Sequence, residues 1–226
     1  MKTPRIVTAL ITLLSTISLP SPTPVAFSQP SPSSENGYDV CRLRSQAMLP
    51  VMEYNSQVLV NRLAYSSQLP KRGDIIVFKP NSSMLQEYIL SEPAYPVNLA
   101  GTYLVRRVIG LPGETVAVLG GQVYINNQPL KEEYFKDKDI KNRPSYILRQ
   151  MTIPANSYFV LGDNRNNSSD SHTWGLVSQS LLIGQFVRVV EIEQRSKLGK
   201  TQLVGQAQLK SIKLAQTAPT QVCRLY

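Results

Sequence analysis

A series of short apolar runs, bounded by proline, glycine or asparagine between about residues 38 and 190, constrains the fold most strongly. Such runs have the length of buried strands, and long helical periodicity is absent. The pattern predicts a mainly β domain, and 226 residues are enough for one core. The predicted strands are Val58–Val60, Ile75–Phe78, Leu104–Ile109, Thr115–Val118, Gln122–Ile125, Tyr158–Leu161 and Phe186–Val190.

Three stretches depart from this strand pattern. Residues 80 to 101 and 131 to 150 are polar and contain prolines or charge clusters, so we expect loops or a small inserted cap. Residues 191 to 226 form a polar, Gln/Lys-rich C-terminal extension that could add a strand or two before Cys223. The tripeptide Cys-Arg-Leu occurs at 41 and again at 223, but three residues are too few to indicate an internal repeat.

The N-terminus has the features of an export signal. Lys2 and Arg5 precede Ile6–Leu19, a mostly apolar run that is shorter than the about 20 residues of a membrane-spanning helix. Residues 1–28 are therefore predicted to be a signal peptide or, alternatively, a short membrane anchor. A Pro/Ser-rich linker over 29–40 follows. The predicted location is the periplasm or the extracytoplasmic side of the membrane.

Charge and cysteine content narrow the range of partners. The formal net charge is +9, but the basic residues are scattered with few aromatic residues among them, so no nucleic-acid partner is expected. An anionic membrane surface suits this charge better.

Cys41 and Cys223 would pair in an oxidising compartment or remain two buried thiols, and the sequence leaves both alternatives open. With one histidine and no CxxC motif, neither a metal nor a cofactor is predicted.

Four segments then stand in a distinctive order. Together they resemble the conserved boxes of the type I signal peptidases, the Ser/Lys family also called bacterial leader peptidases. The resemblance covers about residues 41–190 and implies a mainly β, signal peptidase I-like domain, a β-sheet core with a small inserted cap. The segments are Arg44–Pro50 (RSQAMLP), Arg72–Phe78 (RGDIIVF), Arg106–Glu114 (RRVIGLPGE) and Gly162–Gly175 (GDNRNNSSDSHTWG).

The two positions that the resemblance assigns to catalysis hold the wrong residues. Ala47 stands where the family has its serine nucleophile, and Arg106 stands where it has its lysine base. Such a dyad needs a hydroxyl to attack the scissile carbonyl and a neutral amine to accept its proton. Alanine has no attacking atom, and arginine stays protonated in proteins. The chain is therefore predicted to be a catalytically inactive member of a serine peptidase family.

The positions that support the dyad are better preserved. The resemblance implies that Ser45 supports an oxyanion hole together with the backbone N–H at Ala47. It also implies that Ser168 bonds the base, and that Asp170 supports the same site with His172. We therefore expect Arg106 to pair with Asp170 or to bond Ser168.

An apolar patch beside the dyad suggests what the domain retains. Met48, Leu49 and Pro50 match the family's substrate groove, which suits an extended apolar peptide, although the same residues could instead fill the core. The predicted partners are signal peptides or another exported or membrane protein, bound without being cut. The alternative is an active signal peptidase with a non-standard nucleophile such as Ser45. A purely structural domain is the third hypothesis, favoured if residues 80 to 101 cover the groove.

Overall fold

The computed structural model describes residues 37–91, 101–135, 143–190 and 223–226. The predicted signal segment over 1–28, most of the linker and most of the C-terminal extension lie outside these residues. The described part contains twelve strands, two helices and a short 3-10 turn at Gln179–Leu181. Among the described residues, no helix has the length and apolar character needed to cross a membrane.

The elements follow one another along the chain as a mainly β domain. The strands are β1 (Tyr38–Leu43), β2 (Gln57–Asn61), β3 (Ile75–Phe78), β4 (Thr102–Gly110), β5 (Thr115–Leu119), β6 (Gln122–Ile125), β7 (Gln128–Pro129), β8 (Leu148–Thr152), β9 (Ser157–Leu161), β10 (Val177–Ser178), β11 (Leu182–Val190) and β12 (Arg224–Leu225). The helices are α1 (Ser82–Ser91), between β3 and β4, and α2 (Ser171–Trp174), between β9 and β10.

Eight strands form the larger sheet, in the order β10-β9-β4-β12-β1-β2-β11-β3. An additional pairing of β3 with β4 closes six of these strands into a ring. The remaining four strands form a second sheet, in the order β7-β6-β5-β8. The β5–β6 hairpin of this sheet turns at Gly120 and Gly121, both of which have positive φ.

Alternation along β3 shows how the larger sheet separates two cores. Ile76 and Phe78 belong to the first core, which also receives Met84 and Tyr88 from α1. Ile75 and Val77 belong to the second core, on the opposite face, together with Met48. A third core lies under the smaller sheet, around Val116, Val118 and Phe159.

The structure confirms the mainly β fold, and each predicted strand coincides with an observed one. For the stretch 80 to 101, expected to form loops or a small cap, the loop alternative is wrong over Ser82–Ser91, which form α1. The Asn81 side chain accepts the Met84 N–H at 2.9 Å, which caps the helix. Met84 and Tyr88, four residues apart, then bury the same face. One buried pair is too short a signal to establish a helical period.

One further expectation needs correction, and another falls outside the described residues. The stretch 131 to 150 is not all loop, because β8 begins at Leu148. The described strand of the C-terminal extension, β12, follows Cys223, and the strand or two predicted before Cys223 stay a prediction. Residues 191–222 lie outside the described residues.

Candidate functional site

The turn after β1 holds the first dyad position in the protein interior. Ser45 and Ala47 are each 1% exposed, and Met48 is completely buried. The Ala47 N–H donates to Ser45 Oγ at 3.0 Å. The two groups predicted to support an oxyanion hole therefore bond each other within this turn.

The second dyad position, Arg106 on β4, is completely buried. Its Nε and Nη2 donate to the main-chain oxygen of Ser169, at 3.1 and 2.8 Å. Its Nη1 donates to the main-chain oxygens of Val105, at 2.7 Å, and Tyr226, at 3.0 Å. A buried guanidinium is costly unless hydrogen bonds compensate its lost hydration. These bonds make Arg106 a structural cation that joins three segments of the chain.

The last box packs directly against the first. The Asn164 N–H donates to the Ala47 oxygen at 2.9 Å. A Cβ built on Gly162 would lie 2.2 Å from Ser168 Oγ and 2.5 Å from the Ala47 oxygen. Only glycine fits at position 162. Ala47 and Ser168 therefore both pack against Gly162.

Ser168 does not have the partner that the sequence suggested. Its Oγ is buried and has no hydrogen-bond partner among the described residues. The bond predicted from Arg106 to Ser168 is therefore wrong, because the longer guanidinium reaches the main-chain oxygen of Ser169 instead. An unsatisfied buried hydroxyl costs roughly 1–3 kcal/mol.

Asp170 and His172 stay together as predicted for a supporting shell. Asp170 Oδ2 accepts the Gly162 N–H at 2.9 Å, and Asp170 Oδ1 lies 2.6 Å from His172 Nδ1. The His172 ring stacks on Tyr146 with a centroid distance of 3.8 Å. Asp170 is also the N-cap of α2, so this carboxylate fixes the helix and the Gly162 turn to each other.

A second arginine of the third box connects β4 to the last box. Arg107 Nε and Nη2 donate to the two carboxylate oxygens of Asp163, at 2.7 and 2.6 Å. Both side chains are buried, and the bidentate geometry is the strong form of this pair. The guanidinium of Arg107 also lies 3.9 Å from the ring centroid of Tyr134. This pair sets the position of β4, and hence of Arg106, relative to Gly162.

The predicted groove residues have different environments. Met48 packs in the second core, whereas Leu49 is half-buried and Pro50 is exposed. Of the three predicted groove residues, Leu49 and Pro50 therefore offer apolar surface to solvent and Met48 does not.

A strand that sequence reasoning missed pairs with β1, which precedes Ala47 in the chain, and with β4, which contains Arg106. β12 runs parallel to β1 and β4 and pairs with both. We use the name β1–β4 groove for the space between these two strands that residues 223–226 occupy. Cys41 and Cys223 are joined by a disulfide with a Cα–Cα distance of 4.6 Å, within the range that disulfides require.

One sequence signal did point to this strand. The two Cys-Arg-Leu tripeptides lie side by side, with Arg42 opposite Arg224 and Leu43 opposite Leu225. The repeated tripeptide, dismissed as too short, therefore marks two parallel neighbours in register.

Comparison with known proteins identifies the class to which this fold and site belong. The family described as "Signal peptidase, peptidase S26" matches residues 38–190. The chain belongs to this signal peptidase family. A signal peptidase I of Leptolyngbya laminosa is 43% identical over 156 residues, which cover 69% of this chain and 70% of the relative. A probable signal peptidase I-1 of Synechocystis is 41% identical over 140 residues, covering 62% and 64%.

A solved structure of a signal peptidase I is also similar to part of this chain. It is a signal peptidase I from Enterococcus faecalis, 29% identical, and the match covers 53% of this chain and 98% of that one with a TM-score of 0.35. The family assignment rests on the sequence matches.

Proposed function

We propose that this chain is a non-catalytic member of the signal peptidase family that binds an extended apolar peptide in the β1–β4 groove without cutting it. The observation on which the proposal depends is the pair of dyad positions, Ala47 and the buried, fully engaged Arg106. The proposed location is the extracytoplasmic side of the membrane.

The chemistry of these two positions argues against peptide hydrolysis. Ala47 carries no group that can attack a carbonyl, and Arg106 keeps its proton and uses its N–H groups on main-chain oxygens. Loss of both members of a cooperating dyad typically lowers the rate by a factor on the order of 10⁶. Ser45 is a poor substitute, because its Oγ accepts the Ala47 N–H at the base of the turn.

The geometry of the groove supports peptide binding. β1 and β4 do not pair with each other, and each offers backbone groups to an inserted parallel strand. Strand addition of this kind derives affinity from main-chain hydrogen bonds and specificity from pockets for alternate side chains. The second core supplies apolar side chains there, among them Leu43, Met48 and Val105, in the cluster that also contains Leu225.

A binding assay with a mass readout tests this proposal. A fluorescent signal-peptide segment, extended and apolar, is titrated into the full chain, with and without a dithiol reductant, and then recovered for mass spectrometry. We expect saturable binding in at least one condition and an intact peptide after prolonged incubation. Specific cleavage that is lost in Ser45→Ala would favour the active alternative. Absence of binding in both conditions would overturn the proposal.

A further inference from the structure

The β1–β4 groove already contains a peptide segment, residues 223–226 of this chain. On the β1 side, the Arg42 N–H donates to the Cys223 oxygen at 2.9 Å, and the Arg44 N–H donates to the Leu225 oxygen at 2.6 Å. On the β4 side, the Tyr226 N–H donates to the Tyr103 oxygen at 2.9 Å. Residues 223–226 therefore use main-chain groups of both groove walls.

The side chains of this segment are inserted as those of a bound ligand would be. Leu225 is completely buried in the second core, whereas Tyr226 is 4% exposed and packs in the first core. The Tyr226 ring contacts Tyr88 edge to face, with a centroid distance of 6.4 Å. Arg224 points to solvent. Leu225 and Tyr226 thus enter cores on opposite faces of the sheet, as expected for successive residues of an extended peptide.

The segment also runs toward the dyad positions. The Tyr226 oxygen accepts the Val105 N–H at 3.0 Å and Arg106 Nη1 at 3.0 Å. On the other wall, Arg44 bonds Leu225 only three residues before Ala47. A second peptide could not enter the same register while Tyr226 occupies this end of the groove.

Strand pairings that do not include β12 also connect the two walls of the groove. β1 pairs with β2, β2 with β11, β11 with β3, and β3 with β4. This path connects both walls of the groove without β12. Register also places Arg42 opposite Arg224, and like charges at directly opposed positions destabilise strand pairing. The covalent fastening of the segment is the disulfide to Cys41.

We propose that Cys223–Tyr226 is a displaceable intramolecular occupant of the peptide groove, and that the Cys41–Cys223 disulfide holds the groove closed. The oxidised protein excludes other peptides, and reduction allows the segment to leave. This inference rests on the proposed peptide-binding function of the same groove and adds its regulation.

The opening step is an ordinary thiol–disulfide exchange with an external dithiol. Cys223 is half-buried and Cys41 is buried, so the attacking thiolate bonds the Cys223 sulfur and Cys41 leaves as a thiolate that takes up a proton. The second thiol of the reductant then displaces Cys223, which is also protonated. The protein gains two electrons and two protons as two thiols, and the reductant becomes a disulfide.

Two variants of the full chain that lack the disulfide, Cys223→Ser and Cys41→Ser, test the proposal. Each is compared with the oxidised wild type. The probe is a fluorescent heptapeptide with the sequence of residues 220–226, in which serine replaces the cysteine. We expect both variants to bind it at least about tenfold more tightly than the oxidised wild type. The same peptide with aspartate in place of its leucine should not bind, because that side chain enters the second core.

Amide hydrogen exchange supplies a readout that does not depend on peptide affinity. The N–H groups of Arg44 and Val105 should exchange faster in both variants and become protected again when the heptapeptide is added. The Val108 N–H, which donates to Asp74 at 2.8 Å, should stay protected and shows that the domain remains folded. Arg44 and Val105 amides that stay protected without the disulfide would overturn the proposal, as would equal peptide binding by oxidised and disulfide-free protein.

The two proposals fail in different ways. If these amides open but neither the heptapeptide nor a signal-peptide segment binds, the displaceable segment stands and the peptide-binding function falls. If a peptide binds the oxidised wild type as tightly as the variants, peptide binding stands and the disulfide gate falls.

Discussion

Replacement of Leu225 by alanine should destabilise the whole domain, although this residue lies in a two-residue strand at the end of the chain. Its side chain is completely buried in the second core, against residues of β1, β2, β3 and β4. Truncation of a fully buried leucine typically costs about 3 kcal/mol, as lost burial plus a residual cavity. For a domain of this size, that corresponds to a fall in Tm of roughly 6–12 °C.

Urea and thermal unfolding of the oxidised protein measure this cost. The matched control is Leu119→Ala, since Leu119 ends strand β5 and is 50% exposed, and it should change the free energy of unfolding by no more than about 0.5 kcal/mol. In a Cys223→Ser background, the Leu225→Ala cost should fall by about 1 kcal/mol or more. Without the disulfide, residues 223–226 can leave the groove. The cost of Leu225→Ala then cannot exceed the free energy with which this segment binds there. If Leu225→Ala and Leu119→Ala changed the free energy of unfolding by the same small amount, the placement of Leu225 in the second core would be refuted.

Two further substitutions test how the last box is held. Asp163→Asn should destabilise the protein by about 3–5 kcal/mol, because it leaves the buried Arg107 without its carboxylate. The control is Glu114→Gln in the Arg72–Glu114 pair, which is more exposed than the Arg107–Asp163 pair. The glutamine keeps an oxygen for the Leu111 N–H, so this change should cost about 1 kcal/mol or less in the same urea titration. Gly162→Ala should cost about 1–3 kcal/mol through overpacking, because its Cβ would lie 2.5 Å from the Ala47 oxygen. Adding Ser168→Ala should restore only part of that loss, since the main-chain contact remains; full restoration would contradict the account.

Local sequence patterns predicted the strands because their signals are contained in a few consecutive residues. In β3, four consecutive apolar residues follow a Gly-Asp turn, and all four are buried. The four boxes likewise identified positions 47, 106, 168 and 170 before any geometry was known, and the structure brings 47 and 168 into contact with Gly162.

The parts that sequence reasoning missed depend on distant contacts or on side-chain length. The pairing of β12 with β1 joins residues 182 positions apart, so nothing near Leu225 indicates that it is buried. Arg106 was correctly identified as a departure from the family pattern. Its partners were not, because they are main-chain oxygens supplied by Ser169 and Tyr226. The helix α1 was missed because its N-cap Asn81 and its buried pair form a pattern of only two turns.

The most direct test of the central claim is a cleavage assay on four forms of the protein in the presence of a dithiol reductant. These forms are the wild type, Ala47→Ser, Arg106→Lys and the double variant, each incubated with a signal-peptide-bearing precursor. Neither single variant restores a dyad, since one lacks a base and the other lacks a nucleophile. In the double variant, burial should lower the pKa of the new lysine, so that it can accept the serine proton. We predict cleavage by the double variant alone. Cleavage by the wild type would contradict the account.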